Sequence, residues 1–140
     1  MAKKKVDPDR VKKDVQPNKS GVYTLGNISN ILFNVGYPNK YLKIDNEIII
    51  AEEDIPVTIR FRQELSSIVF QIGHLIIEDG TFTPYGYTLV CETLEDLEYV
   101  CHIAKLARRV PKTSNDIDKL NIQIKEAGCN HKPVTWIDLH

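Results

Sequence analysis

Long apolar runs are missing from this chain. The longest is Ile48-Ile49-Ile50-Ala51, far short of the roughly 20 residues that a bilayer-crossing helix needs. The charged start Met1-Ala2-Lys3-Lys4-Lys5 leads into no apolar stretch, so no secretory signal is expected. Cysteine is scarce. Cys91, Cys101 and Cys129 are an odd number, so no disulfide framework uses all of them, and free thiols suit a reducing compartment. Glycine and proline, seven of each, exclude a collagen-like or low-complexity chain. What remains, 140 residues at 42% hydrophobic and 26% charged, is the composition of one ordinary globular domain.

Motifs that carry chemistry are equally sparse. There is no Gly-x-x-x-x-Gly-Lys-Ser/Thr, no Gly-x-Gly-x-x-Gly and no Gly-x-Ser-x-Gly, so a phosphate cradle and a nucleophile elbow are both unsupported. The densest soft-ligand clusters are Cys101-His102 and Cys129-Asn130-His131. Zinc wants four such ligands converging on one point. Cys101 and His102 are neighbours on an expected helix, where their side chains diverge by about 100°. Cys129 and His131 lie in a loop, with His74 and His140 as the other imidazoles. Cys91 lies two residues before an expected helix cap, the kind of position that can activate a thiol, but no base is placed beside it. The carboxylates of Glu52-Glu53-Asp54 read as a loop before Pro56, and Glu92, Glu95, Asp96 and Glu98 as helix capping and a polar face. No metal, no cofactor and no enzymatic activity are expected.

Charge is distributed unevenly. Residues 1–20 hold seven cations and three anions, and the other 120 hold eleven cations and sixteen anions. A basic arm on an acidic body is a pattern that docks on an acidic protein surface or on nucleic acid. The arm carries Lys3, Lys4, Lys5, Arg10, Lys12 and Lys13 with the aliphatics Val6, Val11 and Val15, and these nine residues are the expected protein-binding set. Val11 and Val15 would share a face of a short helix between Pro8 and Pro17, too short to stand alone in water.

The body begins near Gly21 and runs to residue 140. A short strand is expected over 22–25. A helix is expected next with Ile28, Ile31, Leu32 and Val35 on its inner face, capped by Asn27 and ended by Gly36, and a strand reading of the same run fits almost as well. Tyr41–Ile44 and Glu47–Ala51 flank Asp45-Asn46, which suits a tight hairpin. From Pro56, Val57, Ile59 and Phe61 alternate with Thr58, Arg60 and Arg62, the pattern of a half-buried strand with one basic face. Residues 63–78 fit two templates. Leu65, Ile68, Val69, Ile72, Leu75 and Ile76 make a helical stripe, favoured here because sixteen residues without a turn signal are long for a strand. The β-branched content and Gly73 argue for strands with a bulge. Thr81–Gly86 reads as a loop and Tyr87–Cys91 as a strand. Thr93 caps a helix whose inner face is Leu94, Leu97, Val100 or Cys101, Ala104 and Ala107. A second helix spans 116–127 with Gly128 as its cap, and 133–139 closes as a strand around Trp136. The expected fold is α+β: a mixed, mainly antiparallel sheet packed by two to four helices, with an extended N-terminal arm.

Two functional readings follow. The first is a structural or interaction subunit of a large oligomeric assembly, binding other protein subunits through the arm. A small, near-neutral, motif-free chain with 17 Ile against 5 Ala, a bias of AT-rich genomes, suits a bacteriophage virion component of the capsid, neck or tail. Tyr37, Tyr41, Tyr85 and Trp136 are the candidate contact anchors. The second is a nucleic-acid-binding accessory protein that adds Arg60, Arg62, Lys105, Arg108, Arg109 and Lys112 to the arm, with Tyr85 and Tyr87 as stacking surfaces. Either role places the protein inside a cell or within a virion.

Overall fold

The computed structural model describes residues 12–37, 41–52, 55, 57–76, 81–107 and 113–129. Its elements run α1 (Leu25–Asn34), β1 (Leu42–Ile44), β2 (Glu47–Ala51), β3 (Thr58–Gln63), β4 (Ile68–Ile76), β5 (Thr81–Cys91), α2 (Leu94–Leu106) and α3 (Ser114–Glu126). The five strands form one antiparallel meander in the order β1-β2-β3-β4-β5. This is an α+β fold, with helices gathered on one face of an antiparallel sheet.

Alternation decides which face is covered. Ile48 and Ile50, Ile59 and Phe61, and Ile68, Phe70 and Ile72 are buried. They pack with Ile28, Ile31 and Leu32 of α1 and Leu97, Val100, Cys101 and Ala104 of α2 in one core. Phe61 and Phe70 stand opposite each other across β3 and β4, with ring centroids 5.4 Å apart and tilted. Such a pair contributes about 0.5–1.5 kcal/mol beyond its area. The intervening residues, Arg60, Arg62, Val69 and Gln71, face away from the helices.

Several boundaries differ from expectation, each for a local reason. Residues 22–24 are not a strand, because Asn18 occupies the backbone there: its Oδ1 accepts from Ser20 and Val22 N–H, and its N–H donates to Val22 C=O. Thr24, not Asn27, is the N-cap of α1. Asn27 stands at the third helical position and accepts from Thr24 N–H at 2.7 Å. Of the segment expected as a helix over 63–78, the described part, 63–76, is the end of β3, a turn and β4 instead. Glu64 N–H donates to Ser67 C=O, so Glu64-Leu65-Ser66-Ser67 is the turn that the helical reading overlooked. Ile68, Phe70 and Ile72 then bury with period 2. Gly73 marks a register shift against β5, the bulge that its composition allowed. The supposed loop 81–86 belongs to β5. That strand lies at the sheet edge, where a proline such as Pro84 is tolerated.

Other expectations hold. Asp45-Asn46 turns the β1–β2 hairpin, with Asn46 in the left-handed region at φ 64°, which asparagine tolerates better than most residues. Thr93 caps α2 and accepts from Asp96 N–H at 3.1 Å. Gly36 and Gly128 sit at positive φ just past α1 and α3. Each lies in a Schellman closure: Tyr37 N–H donates to Leu32 C=O, and Cys129 N–H to Ile124 C=O. The closing strand expected over 133–139, with Trp136, lies outside the described residues. Among the described residues, no helix is long and apolar enough to cross a membrane.

Candidate functional site

The arm residues that are described lie on the chain's own helix. Residues 12–17 are non-helical, and α1 offers them a row of asparagines. Asn27, Asn30 and Asn34 recur at three and four spacing, so they share one helical face. Asn34 takes both backbone groups of Lys13: its Oδ1 accepts from Lys13 N–H at 2.7 Å and its Nδ2 donates to Lys13 C=O at 2.8 Å. Asn30 donates to Asp14 C=O at 3.1 Å and Asn27 to Gln16 C=O at 2.8 Å. The Lys13 ammonium sits 4.6 Å from the centroid of the Phe33 ring, and Val15 packs on the core. Of the expected protein-binding set, Lys12, Lys13 and Val15 therefore border the body. Lys3, Lys4, Lys5, Val6, Arg10 and Val11 lie outside the described residues.

The expected basic track is not assembled among the described residues. Arg60 and Arg62 project from the sheet face that carries no helix. Arg60 donates through Nε to Gln71 Oε1 at 3.1 Å and through Nη2 to the same oxygen. It lies 3.9 Å from the Glu47 carboxylate and 4.4 Å above the Phe82 ring. Arg62 pairs with Glu64 at 3.5 Å. Lys105 belongs to the helical layer on the other side of the sheet, where its Nζ donates to Val35 C=O at 2.6 Å and closes the end of α1. Arg108, Arg109 and Lys112 are outside the described residues, as are the side chains of Tyr85 and Tyr87. Tyr37 is buried and donates to Glu52 Oε1 at 2.6 Å, and Tyr41 is half-buried against the core. Neither is an exposed anchor.

All three cysteines are buried, and none forms a disulfide. Burial, reinforced by the Asp96 carboxylate, pushes the Cys91 thiol up to about 12. Burial also raises Cys101, with Cys91 and Glu98 acting in the same direction. Both remain thiols at neutral pH, the state opposite to that of a nucleophilic cysteine. No group of three or more His, Cys, Asp or Glu able to hold a metal occurs among the described residues.

The feature that the sequence reading passed over is the helix-free face itself. The register aligns Leu42, Ile49, Arg60, Gln71 and Thr88 in one cross-strand row, and Ile44, Glu47, Arg62, Val69 and Val90 in the next. Leu42 is 59% exposed, Ile44 51% and Val90 52%, and Leu65 at the β3–β4 turn is fully exposed. The charged residues in the middle are held by their neighbours: Gln71 bridges Arg60 and Thr88, donating to Thr88 Oγ1 at 3.2 Å. The result is an apolar border around a neutralised centre. Alternation along 42–44 and 68–71 contained this pattern, but it required the register to bring the residues together.

Gln63 joins the layers at the end of β3. Its Oε1 accepts from Leu25 N–H at 3.0 Å, a donor that α1 leaves unpaired at its first turn, and its Nε2 reaches the carbonyls of Tyr23, Glu64 and Ser67. The face and the helix behind it are therefore fixed to each other. No family model, no curated protein and no solved structure compared with this chain matches it.

Proposed function

We propose that this chain is a non-enzymatic structural subunit that docks a second copy of itself across the helix-free sheet face, as one part of a larger assembly. The observation that carries the reading is the set of exposed aliphatics, Leu42, Ile44, Leu65 and Val90, around an arginine centre whose charges are already matched. A like-charged centre would repel a second copy, whereas matched Arg–Glu pairs leave nothing to repel. Burial of the aliphatics supplies the driving force, at roughly 25 cal/mol per Å² of apolar surface removed from water. A bacteriophage virion, with repeated copies in its capsid, neck or tail, is the kind of assembly that the chain's size and AT-rich residue usage suit. In this reading the basic residues before Lys12 are a secondary attachment, and the sheet face is the primary one.

Light scattering over a concentration series tests the proposal. The expected mass is a multiple of 16.0 kDa, insensitive to added nucleic acid. The quadruple variant Leu42→Ser, Ile44→Ser, Leu65→Ser, Val90→Ser should run as the monomer, while deletion of residues 2–11 should leave the oligomer intact. A wild-type monomer at every concentration would overturn the proposal. So would a quadruple variant of unchanged mass. A monomer that shifts only with DNA or RNA, and releases it in salt, would install the nucleic-acid role instead.

A further inference from the structure

On the opposite side of the molecule from the sheet face lies a cleft of about 560 Å³, within the range of small-molecule sites. Residues 12–15 and the end of α1 form one wall, and the C-terminal end of α3 closes the far side. The floor is a stripe of α2, Leu94, Glu98, His102 and Lys105, spaced three and four apart and so on one face.

Two independent features mark the His102 end. Lys12, Lys13 and Lys105 all border the cleft, yet the ion pairs among the described residues are Arg60–Glu47 and Arg62–Glu64. No described carboxylate is paired with any of the three lysines. Second, His102 is only 8% exposed, and its Nδ1 is buried without a hydrogen-bond partner. A buried polar atom left unpaired costs about 1–3 kcal/mol, and because His102 lines the cleft, a rotation of the ring that brings Nδ1 to it would let a ligand add the missing bond. Electrostatics agree with the geometry. Burial first, then Lys105 and Lys12, holds the imidazole below its ordinary pKa, which is the direction that two ammoniums near the ring impose.

We infer that this cleft binds a single oxyanion group, phosphate or carboxylate, between Lys12, Lys105 and His102. Lys13 contributes little, because its ammonium rests on Phe33. The anions in the cleft limit the ligand. Asp14 is turned to Gln16, whose Nε2 donates to it at 3.3 Å. Glu98 stands one helical turn from His102 and repels further negative charge. A polyphosphate is therefore excluded in favour of one oxyanion group at the His102 end. Lysines suit this task as point charges, without the bidentate geometry that arginine imposes.

Linkage supplies a readout. An anion bound beside the ring offsets the two ammoniums, so it must raise the His102 pKa, and the protonated ring must in turn bind the anion more tightly. The experiment is an NMR titration of the His102 imidazole in the full chain with inorganic phosphate and, separately, acetate, against sodium chloride at matched ionic strength. Saturable shifts with an upward move of the His102 titration are expected, together with about tenfold weaker binding in Lys12→Gln, the loss of one charged hydrogen bond. Preference for phosphate marks a phosphoryl ligand and preference for acetate a carboxylate one. Lys105→Gln also removes the contact to Val35, so Lys12→Gln decides, since Lys12 holds no described partner. Shifts that never saturate, that chloride reproduces, or that Lys12→Gln leaves unchanged would overturn the site.

Discussion

Among the described residues, His102 is the one whose protonation links folding to pH in the neutral range. Burial first, then Lys105 and Lys12, lowers its pKa in the folded state. Glu98, one turn away on α2 and bordering the same cleft, is the carboxylate on that face, and it does not reverse the direction. In the unfolded chain the imidazole titrates near its ordinary value of about 6.5. Below that pH the unfolded state binds the proton that the folded state refuses, so stability rises with pH there. The contribution is complete above about pH 6.5 and is lost as pH falls toward the folded-state value. One site cannot exceed about 1.4 kcal/mol per pH unit. Urea midpoints for wild type and His102→Leu, measured at pH 7.5 and pH 5.5, should diverge, with the wild type losing more stability on acidification. Parallel losses would remove His102 from the pH dependence. The sequence placed His102 beside Cys101 as a weak metal candidate. Its position on the cleft stripe became legible only once α2 was seen to bury Cys101 and His102 together, both within the packed length of the helix.

At the scale of elements, the junction of the arm with α1 is the most specific feature. Three asparagines of one helix face hold the backbone over residues 13–16, and the Asn34 amide donates and accepts at once. Asn34→Ala removes both bonds to Lys13. These groups are exposed, so water replaces them, and the net cost is about 1 kcal/mol. Global stability should change by no more than that. Local opening of 12–16 should increase about fivefold, read as faster tryptic cleavage after Lys12 and Lys13. Cleavage unchanged from wild type would mean that Val15, not the asparagines, holds the segment. The spacing 27, 30, 34 was visible in the sequence. Nothing local announces that a helix face will receive its own N-terminal backbone, and of the three only Asn27 was singled out, as a cap. β4 failed for a different reason. Leu65, Ile68 and Ile72 satisfy a period of 3.6 and Ile68, Phe70 and Ile72 a period of 2, and propensity alone does not arbitrate between them. Tertiary pairing with β3 does. Elements whose signals were local, such as the Thr93 cap, the Asp45-Asn46 turn and the glycines after α1 and α3, were legible because each depends on a few adjacent residues.

The molecule as a whole has a core sealed between sheet and helices, and its cysteines sample that core at different depths. Cys91 at the end of β5 and Cys101 in α2 are fully buried, and Cys129 beyond α3 nearly so. A thiol reagent needs both access and the thiolate. Cys91 has neither in the folded state, being inaccessible and held up to about 12. Its modification therefore waits for separation of β5 from α2, which dismantles the core. Labelling of Cys91 and Cys101 should be at least about a thousandfold slower than in the unfolded chain. Its urea dependence should equal that of global unfolding. Cys129 is different. It is fixed by the closure at the end of α3, and α3 joins the body through its packing on α2, with Tyr99 donating to Asn121 at 2.8 Å. Opening α3 exposes far less surface than unfolding the sheet, so Cys129 should label faster, with a shallower urea slope. Mass-resolved labelling distinguishes the three sites. If Cys91 and Cys129 labelled together, with one steep slope, α3 would belong to the same cooperative unit as the sheet, and the wall it gives to the His102 cleft would be as rigid as the floor. If Cys91 labelled rapidly without urea, the sheet and α2 would not form a sealed core, and the alternation that leaves Leu42, Ile44 and Val90 on an open face would lose its structural basis.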